Sequence, residues 1–211
     1  MPYDLYIITD QRISLGRSHL EIAKAALAGG ATVIQFRDKE MQDAEAIEVC
    51  RKIHQLTQQE GVPFIVNDRV EVAKIVGAEG VHLGQEDRPL SLAKKILGRE
   101  KIIGVSAKTI EQAQKAVEEG ADYLGVGPIY PTTTKPGADK ALGVSRLKEI
   151  RGSVNIPLVA IGGIKEDNLE EVLKAGADGV AVISAVVSAP DITEACRRFR
   201  NKIESIKRCK A

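Results

Sequence analysis

The segment Gly120-Ala121-Asp122-Tyr123-Leu124-Gly125-Val126-Gly127-Pro128 decides the fold of this 211-residue chain. A glycine closes a helical stretch, a short apolar run follows, and a Gly/Pro-rich loop begins where the run ends. A Gly-Ala pair leads into an apolar run at three further places, which begin at Gly30, Gly77 and Gly176. The intervals between these pairs are unequal, which argues against a strict solenoid repeat and favours units with loops of different length.

Eight such apolar runs, rich in β-branched residues, recur along the chain. They predict strands at residues 5–8, 32–36, 63–66, 80–83, 101–105, 122–126, 157–161 and 179–183. Runs with so few polar residues are typical of parallel strands that are buried on both faces. Because aromatic residues make up 3% of the chain and Trp does not occur, the core is predicted to be aliphatic.

Segments with a helical period lie between most of the runs, and many of them carry start and stop signals. The predicted starts pair a capping residue with an acid or amide three positions later: Ser18 with Glu21, Thr109 with Gln112, Asp167 with Glu170, and Asp191 with Glu194. Glycines that follow helices readily take the left-handed conformation. The glycines predicted to do so are Gly29, Gly61, Gly77, Gly120 and Gly176.

These elements alternate along the whole chain. Parallel strands joined by helices require right-handed crossovers, and eight such units close into a barrel with the helices outside. No Pro/Ser-rich linker divides the sequence. We therefore predict an α/β fold, a single-domain (β/α)8 TIM barrel that spans residues 1–211. The alternative, an open doubly wound sheet, is disfavoured because no GxGxxG motif follows the first run.

The composition excludes several classes of protein. Lys and Arg number 30 against 29 Asp and Glu, a net charge of +1, so no nucleic acid partner is expected. No run approaches the roughly 20 apolar residues of a membrane span, and no signal peptide is visible, so no membrane partner is expected. The cysteines Cys50, Cys196 and Cys209 form no CxxC pair and are expected to be reduced thiols of a cytoplasmic protein. A homo-oligomer is compatible with the sequence but does not follow from it.

In a barrel of this kind the active site lies at the carboxyl ends of the strands. The second predicted strand ends in Gln35-Phe36-Arg37-Asp38-Lys39. Alternation along the strand places Gln35, Arg37 and Lys39 on one side, towards the barrel mouth. One amide and two cations predict a site for a polyanion, since Arg offers a bidentate fork and Lys a point charge. A solvated charge cluster is the alternative interpretation.

Carboxylates follow the next two strands. Asn67-Asp68 ends the third predicted strand, and Asp87 lies in the loop after the fourth. Mg²⁺ prefers one or two carboxylates together with water and substrate phosphate oxygens, so Asp68 and Asp87 are predicted to hold one Mg²⁺ ion. Taken alone, Asn-Asp is a common turn pair. His82 lies on an apolar run and is expected to be a hydrogen-bonded core residue. No functional role is predicted for His19, His54, His82 or the three cysteines.

The other half of the mouth carries hydroxyl groups and glycines. Ser106 follows the fifth predicted strand. The loops after the last three strands contain Thr132, Thr133, Thr134 and Lys135, then Gly162 and Gly163, then Ile183 and Ser184. Loops after strands seven and eight, with a helix N-terminus behind them, form a phosphate site common in these barrels. The mouth is therefore predicted to hold two anion sites, one for a diphosphate that leaves with Mg²⁺ and one for a phosphorylated acceptor.

These motifs together resemble the thiamine-phosphate synthase family over essentially the full chain. The resemblance is carried, in the family's order, by residues 35–39, Asn67-Asp68, residues 80–87, Gly127-Pro128, residues 132–135, residues 161–164 and residues 182–184. Family members join 4-amino-2-methyl-5-hydroxymethylpyrimidine diphosphate to a thiazole phosphate, giving thiamine phosphate and diphosphate. Two departures are small: Phe36 stands where the family commonly has Leu, and Pro136-Gly137 follows the lysine.

The resemblance implies a role for each matching residue. The pyrimidine diphosphate would be bound by Gln35, Phe36, Arg37, Asp38, Lys39, Asn67, Ser106 and Lys135, of which Arg37, Lys39, Ser106 and Lys135 would be catalytic. The thiazole phosphate would be bound by Thr132, Thr133, Thr134, Gly163, Ile183 and Ser184. Asp68 and Asp87 would hold one Mg²⁺, which Mn²⁺ could replace. The family's reaction passes through a pyrimidine-methyl cation, so the protein needs no strong nucleophile.

Three other functions remain as alternatives. A thiazole tautomerase of the same barrel family uses a histidine just after strand five, where this chain has Lys108. A non-catalytic phosphate sensor would not need two metal-type carboxylates beside a lysine. An epimerase of the ribulose-phosphate type would keep the phosphate site without the Gln35, Arg37 and Lys39 group.

Overall fold

The eight predicted strand runs each form a strand, and these strands pair in sequence order into a closed, fully parallel barrel. The computed structural model describes residues 3–134 and 140–209. Within those residues the strands are β1 (Leu5–Thr9), β2 (Val33–Phe36), β3 (Phe64–Asn67), β4 (Gly80–Leu83), β5 (Ile102–Ala107), β6 (Tyr123–Val126), β7 (Leu158–Ile161) and β8 (Gly179–Val182). The strand β8 pairs with β1 and closes the ring, which confirms the (β/α)8 barrel.

Helices follow the strands and cover the outside of the barrel. They are α1 (His19–Ala28), α2 (Asp43–Gln59), α3 (Val70–Val76), α4 (Leu90–Leu97), α5 (Ile110–Glu118), α6 (Gly143–Ser153), α7 (Leu169–Lys174), the single turn α8 (Ser184–Val187) and α9 (Ile192–Arg208). A short 3-10 helix, Gln11–Ile13, follows β1. No helix within the described ranges is both long and apolar enough to cross a bilayer.

Three of the four predicted helix starts are borne out. Ser18 forms the full capping box with Glu21, and the side chains of Thr109 and Asp191 each accept a bond from the backbone three residues on. The prediction at Asp167 is wrong, because α7 begins after Asn168. The Asn168 side chain instead accepts a bond from Lys165 N and donates to Gly163 O, bracing the loop before the helix.

One of the predicted left-handed glycines is also wrong. Gly29 has φ −89°, and its neighbour Gly30 takes the positive φ of 89°. Gly29 is needed for close packing instead, since a Cβ there would lie 2.4 Å from Cys196 Cβ on α9. The other four predicted glycines have positive φ.

The core has two layers. The layer between strands and helices is mostly aliphatic, as the composition predicts. Inside the barrel, however, a second cluster contains Tyr3, Tyr6 and Tyr123, three of the four tyrosines in the chain. The barrel interior therefore combines aliphatic side chains with three phenol rings, and buried hydroxyl groups need hydrogen-bond partners.

Candidate active site

The predicted site residues lie at the carboxyl ends of consecutive strands, so the closed barrel brings them to one rim. The first group lies at the ends of β2 to β5 or in the loops directly after them, and includes Gln35, Arg37, Lys39, Asn67, Asp68, Asp87 and Ser106. The second follows β6 to β8 and includes Thr132, Thr133, Thr134, Gly163, Ile183 and Ser184. Lys135, predicted to serve both binding and catalysis, lies outside the described residues.

The end of β2 divides its side chains between two sides of the barrel wall. Gln35 is buried inside, where its amide donates to the hydroxyl of Tyr6 at 2.8 Å. The Arg37 guanidinium lies 3.6 Å from the buried Asp10 carboxylate. Phe36 points the other way and packs in the outer layer, its ring centroid 4.8 Å from that of His19. Substrate in the mouth could therefore contact Phe36 only through its backbone.

Asp38 shapes the loop after β2 with its carboxylate. It accepts hydrogen bonds from the backbone of Glu40 and Met41 and lies 3.0 Å from His19 Nε2. Although partial burial acts in the opposite direction, the bonds from Met41, His19 and Glu40 hold the pKa of Asp38 below its usual value. Because these bonds occupy the Asp38 carboxylate, a contact between Asp38 and substrate would use the Asp38 backbone.

A cation and a carboxylate meet where the loops after β2 and β3 face each other. The Lys39 ammonium group contacts the Asp68 carboxylate directly. Asp68 has φ 50°, a left-handed conformation that is unusual outside glycine, and its N–H donates to the carbonyl of His82. The Asp68 side chain is thus fixed towards the mouth, with its charge balanced by Lys39.

The loop after β4 brings a second carboxylate to the same place. Asp87 Oδ2 accepts a hydrogen bond from Gly84 N at 2.6 Å, which fixes the turn. Because Gly84 directly follows β4, this carboxylate lies at the end of that strand. Gln85 donates to the carbonyl of Ser106 at 2.6 Å and ties the loop to β5. The two predicted metal ligands therefore lie around the end of the same strand.

His82 has partners on both ring nitrogens. Its Nδ1 is 2.9 Å from the hydroxyl of Tyr123, and its Nε2 is 2.9 Å from the hydroxyl of Ser106. Burial lowers the pKa of His82 to about 4, against the opposing effect of Asp87, so the imidazole is neutral at pH 7. The expectation of a hydrogen-bonded histidine is confirmed, and one of its partners is a predicted substrate contact.

The second group is held together across the loops after β6, β7 and β8. Thr132 donates to Thr134, whose hydroxyl donates to that of Ser184 at 3.2 Å. Thr133 is exposed beside them, and Ile183 directly precedes the single turn α8. Gly163, at φ 64°, lies under the threonine loop, where a Cβ would come within 2.7 Å of the carbonyl oxygen of Pro131. Hydroxyl groups and a close-approaching backbone can bind a phosphate.

The residues present fit a magnesium ion by the chemistry of their donors. Asp68 and Asp87 offer hard carboxylate oxygens on neighbouring loops, and the ammonium group of Lys39 lies against Asp68. Among residues 3–134 and 140–209 no cluster of three or more His, Cys, Asp or Glu could enclose a metal. Two carboxylates that leave the remaining positions to water and substrate phosphate oxygens suit Mg²⁺.

Two residues of the site were missed by the sequence analysis. Asp10 is buried and binds Arg12 as well as facing Arg37. His19, to which no role was assigned, bridges Thr9 and Asp38. Asp10 directly follows β1, so the rule that strand ends carry function could have found it. Nothing in the spacing around His19 indicates its partner.

The comparisons with known proteins agree over nearly the whole chain. A family model described as thiamine monophosphate synthase matches residues 5–186. A thiamine-phosphate synthase of Chloroflexus aurantiacus is 52% identical over 196 residues, covering 93% of this chain and 90% of the relative. One from Methanospirillum hungatei is 52% identical, covering 94% and 97%. A thiamine phosphate pyrophosphorylase structure from Pyrococcus furiosus superposes with a TM-score of 0.90 at 44% identity, covering 97% of both chains.

Proposed function

Because this chain belongs to the thiamine monophosphate synthase family, we propose that its barrel mouth binds a pyrimidine diphosphate on one side and a thiazole phosphate on the other. The chain is an enzyme, a transferase, and its activity is thiamine-phosphate synthesis. One observation carries this division of the mouth. Two cations after β2, Arg37 and Lys39, pair with carboxylates after β1 and β3, whereas the hydroxyls of Thr134 and Ser184 are linked after β6 and β8.

The diphosphate side is proposed to lie at Arg37 and Lys39. Arg37 is oriented by Asp10 and can form two parallel bonds to phosphate oxygens, whereas Lys39 can release Asp68 and turn to the diphosphate. We assign Asn67 to the same substrate, together with backbone groups of Phe36 and Asp38. Lys135 is proposed to complete the set from the loop after β6.

Asp68 and Asp87 are proposed to hold one Mg²⁺ ion, for which Mn²⁺ could substitute. The bound ion would neutralise the negative charge that develops on the departing diphosphate. The contact between Lys39 and Asp68 supports this arrangement, because the Asp68 carboxylate already binds a cation at this place.

The thiazole phosphate is proposed to bind at the second group. Thr132, Thr133, Thr134 and Ser184 offer hydroxyl groups, and Gly163 and Ile183 offer backbone at the loops after β7 and β8. This group lies across the barrel mouth from the cations. A thiazole bound here by its phosphate would extend its ring towards the pyrimidine.

The chemistry then depends on charge and position. The bond between the pyrimidine methylene carbon and the diphosphate oxygen breaks, the electron pair leaves with diphosphate, and the ring amino group stabilises the cation. The thiazole nitrogen donates its electron pair to that carbon. Arg37, Lys39 and Lys135 stabilise the leaving group, and Gln35 and Ser106 hold the pyrimidine ring in line. No general base is needed, since the nitrogen that attacks carries no proton.

The tautomerase alternative is not supported, since the relatives are named as synthases. The position after β5 is Lys108, and the neutral His82 is engaged by Tyr123 and Ser106. We further propose a cytoplasmic location, supported by the free thiols of Cys50 and Cys196.

The test supplies both substrates and Mg²⁺ and measures thiamine phosphate and diphosphate, which should appear in equal amounts. Arg37→Ala should lower kcat/KM by roughly a hundredfold or more, the scale for a lost group that stabilises a transition state. Arg51→Ala is the matched control, because Arg51 lies exposed on α2 and pairs with Glu48. Equal turnover in Arg37→Ala and Arg51→Ala would contradict the assignment of Arg37 to the site.

A further inference from the structure

A continuous chain of hydrogen bonds crosses the inside of the barrel below the mouth. Gln35 Nε2 donates to the hydroxyl of Tyr6 at 2.8 Å, and that hydroxyl is 2.8 Å from the hydroxyl of Tyr123. Tyr123 is 2.9 Å from His82 Nδ1, and His82 Nε2 is 2.9 Å from Ser106 Oγ. We call these five side chains the relay. Its two ends are the two residues proposed to hold the pyrimidine ring.

The relay has a direction that follows from its first donor. Tyr6 accepts from Gln35, so its own hydrogen goes to Tyr123. Tyr123 in turn donates to Nδ1 of His82, so Nδ1 carries no hydrogen and the hydrogen of the ring lies on Nε2. The hydroxyl of Ser106 accepts that hydrogen. Its own hydrogen is left to donate upwards to a ligand.

The phenol groups keep their protons throughout the working range of pH. Burial raises the pKa of both Tyr6 and Tyr123 above the usual value, so both remain hydroxyl donors. Because Nδ1 of His82 accepts a hydrogen bond from Tyr123, the imidazole carries a single hydrogen and no member of the relay is charged.

The barrel is built to make room for the relay. A Cβ on Gly104 would lie 2.0 Å from Tyr123 Cζ, and a Cβ on Gly125 would lie 2.8 Å from His82 Cε1. The neighbouring strands β5 and β6 thus carry glycine at the positions that the rings of Tyr123 and His82 occupy inside the barrel. A barrel that needed only a packed core would fill these positions with aliphatic residues.

We propose that Tyr6, Tyr123 and His82 are positioning residues that fix the hydroxyl of Ser106 as a hydrogen-bond donor to a ring nitrogen of the pyrimidine. This assignment rests on the proposed function, in which Gln35 and Ser106 contact that ring. Because the direction of every bond follows from the amide of Gln35, a turned amide would reverse the relay and direct the Ser106 hydrogen to His82. The two ends of the relay therefore recognise the ring together.

The first test reads the tautomer of His82 directly. Long-range proton–nitrogen NMR spectra of histidine-labelled protein contain three imidazole rings, and His82→Gln identifies the one that matters. We expect hydrogen on Nε2 and a bare Nδ1. Hydrogen on Nδ1 would overturn the direction of the relay and the proposal with it.

The second test measures the KM of each substrate in His82→Leu and Tyr123→Phe. Both variants should raise the KM for the pyrimidine diphosphate by roughly tenfold, the scale of one lost hydrogen bond to a ligand. The KM for the thiazole phosphate and inhibition by inorganic diphosphate should stay unchanged, which general damage to the barrel would not allow. His82→Gln should recover part of the loss, since its amide can donate to Ser106.

Tyr3→Phe is the matched control, because the Tyr3 ring packs against Tyr123, with ring centroids 4.8 Å apart, without belonging to the relay. If His82→Leu and Tyr123→Phe behave as Tyr3→Phe does, the positioning role is refuted. The KM of Ser106→Ala for the pyrimidine diphosphate distinguishes a wrong positioning role from a wrong proposed function. A raised pyrimidine KM in Ser106→Ala alone would refute the relay, whereas a normal KM in all variants would refute the pyrimidine site itself.

Discussion

The Arg37 guanidinium lies 3.6 Å from the Asp10 carboxylate, and the same carboxylate accepts two bonds from Arg12. Asp10 is buried at the end of β1, so one acid from the first strand orients the cation that follows the second. A guanidinium that a carboxylate already orients loses less conformational freedom on binding a diphosphate than an unpaired side chain would.

Asp10→Asn should therefore weaken the enzyme through Arg37. We expect kcat/KM for the pyrimidine diphosphate to fall by roughly tenfold, because the amide keeps the shape but loses the charge that orients the guanidinium. Steady-state kinetics with both substrates measure this effect. Asp178→Asn is the control, since Asp178 forms a similar pair with Arg151 at 3.0 Å next to the start of β8, away from the mouth. Equal losses in the two variants would mean that Asp10 acts on stability alone.

Removal of metal should abolish turnover while leaving the fold intact, because Lys39 already balances the charge of Asp68. Mg²⁺ with inorganic diphosphate should raise Tm by about 5 °C or more near hundredfold saturation. Asp68→Asn and Asp87→Asn should lose this shift. Diphosphate without Mg²⁺ is the control, and a full shift in chelator would contradict the metal role of both carboxylates.

The strands and the rim were predictable because both follow from local patterns. An apolar run such as residues 179–183 indicates a strand buried on both faces, and the polar residues that follow each run fall on one edge by topology alone. The wrong helix start at Asp167 has a local cause as well, since Asn168 offers the loop a better pair of bonds.

The relay could not be predicted, because its members are far apart in sequence. Tyr6 and Tyr123 are separated by 117 positions, and only the closed barrel brings their hydroxyls together. A sequence pattern shows that Tyr123 is buried but not which polar atom it meets. The same limit applies to His19, whose partner Asp38 lies on another element.

Gly163→Ala should impair the thiazole phosphate site selectively. Gly163 and Gly61 have the same φ of 64°, so alanine brings the same backbone strain to both, roughly 1–2 kcal/mol. At Gly163 the new Cβ would also lie 2.7 Å from the Pro131 carbonyl oxygen, whereas nothing lies within 4 Å at Gly61. We expect Gly163→Ala alone to raise the KM for the thiazole phosphate, by roughly tenfold or more for a displaced binding loop. Chemical denaturation of the Gly163→Ala and Gly61→Ala variants measures the shared backbone strain, and steady-state kinetics measure the effect of the added contact with Pro131. An equal KM for the thiazole phosphate in the two variants would contradict the assignment of this loop.

The carboxylate of Asp38 should make stability depend on pH in the acid range. Burial opposes the shift, but the bonds from Met41, His19 and Glu40 lower the pKa of Asp38 in the folded protein, so the unfolded chain takes up a proton first as pH falls. The stabilisation is present above the unfolded pKa, roughly 3.9, and is lost as pH falls below it. Asp38→Asn keeps an acceptor for the backbone bonds but does not titrate there. The difference in unfolding free energy between the two proteins, measured in urea at several pH values, should therefore shrink between pH 5 and pH 3. A difference that stays constant over that range would show that the Asp38 charge contributes nothing to the loop after β2.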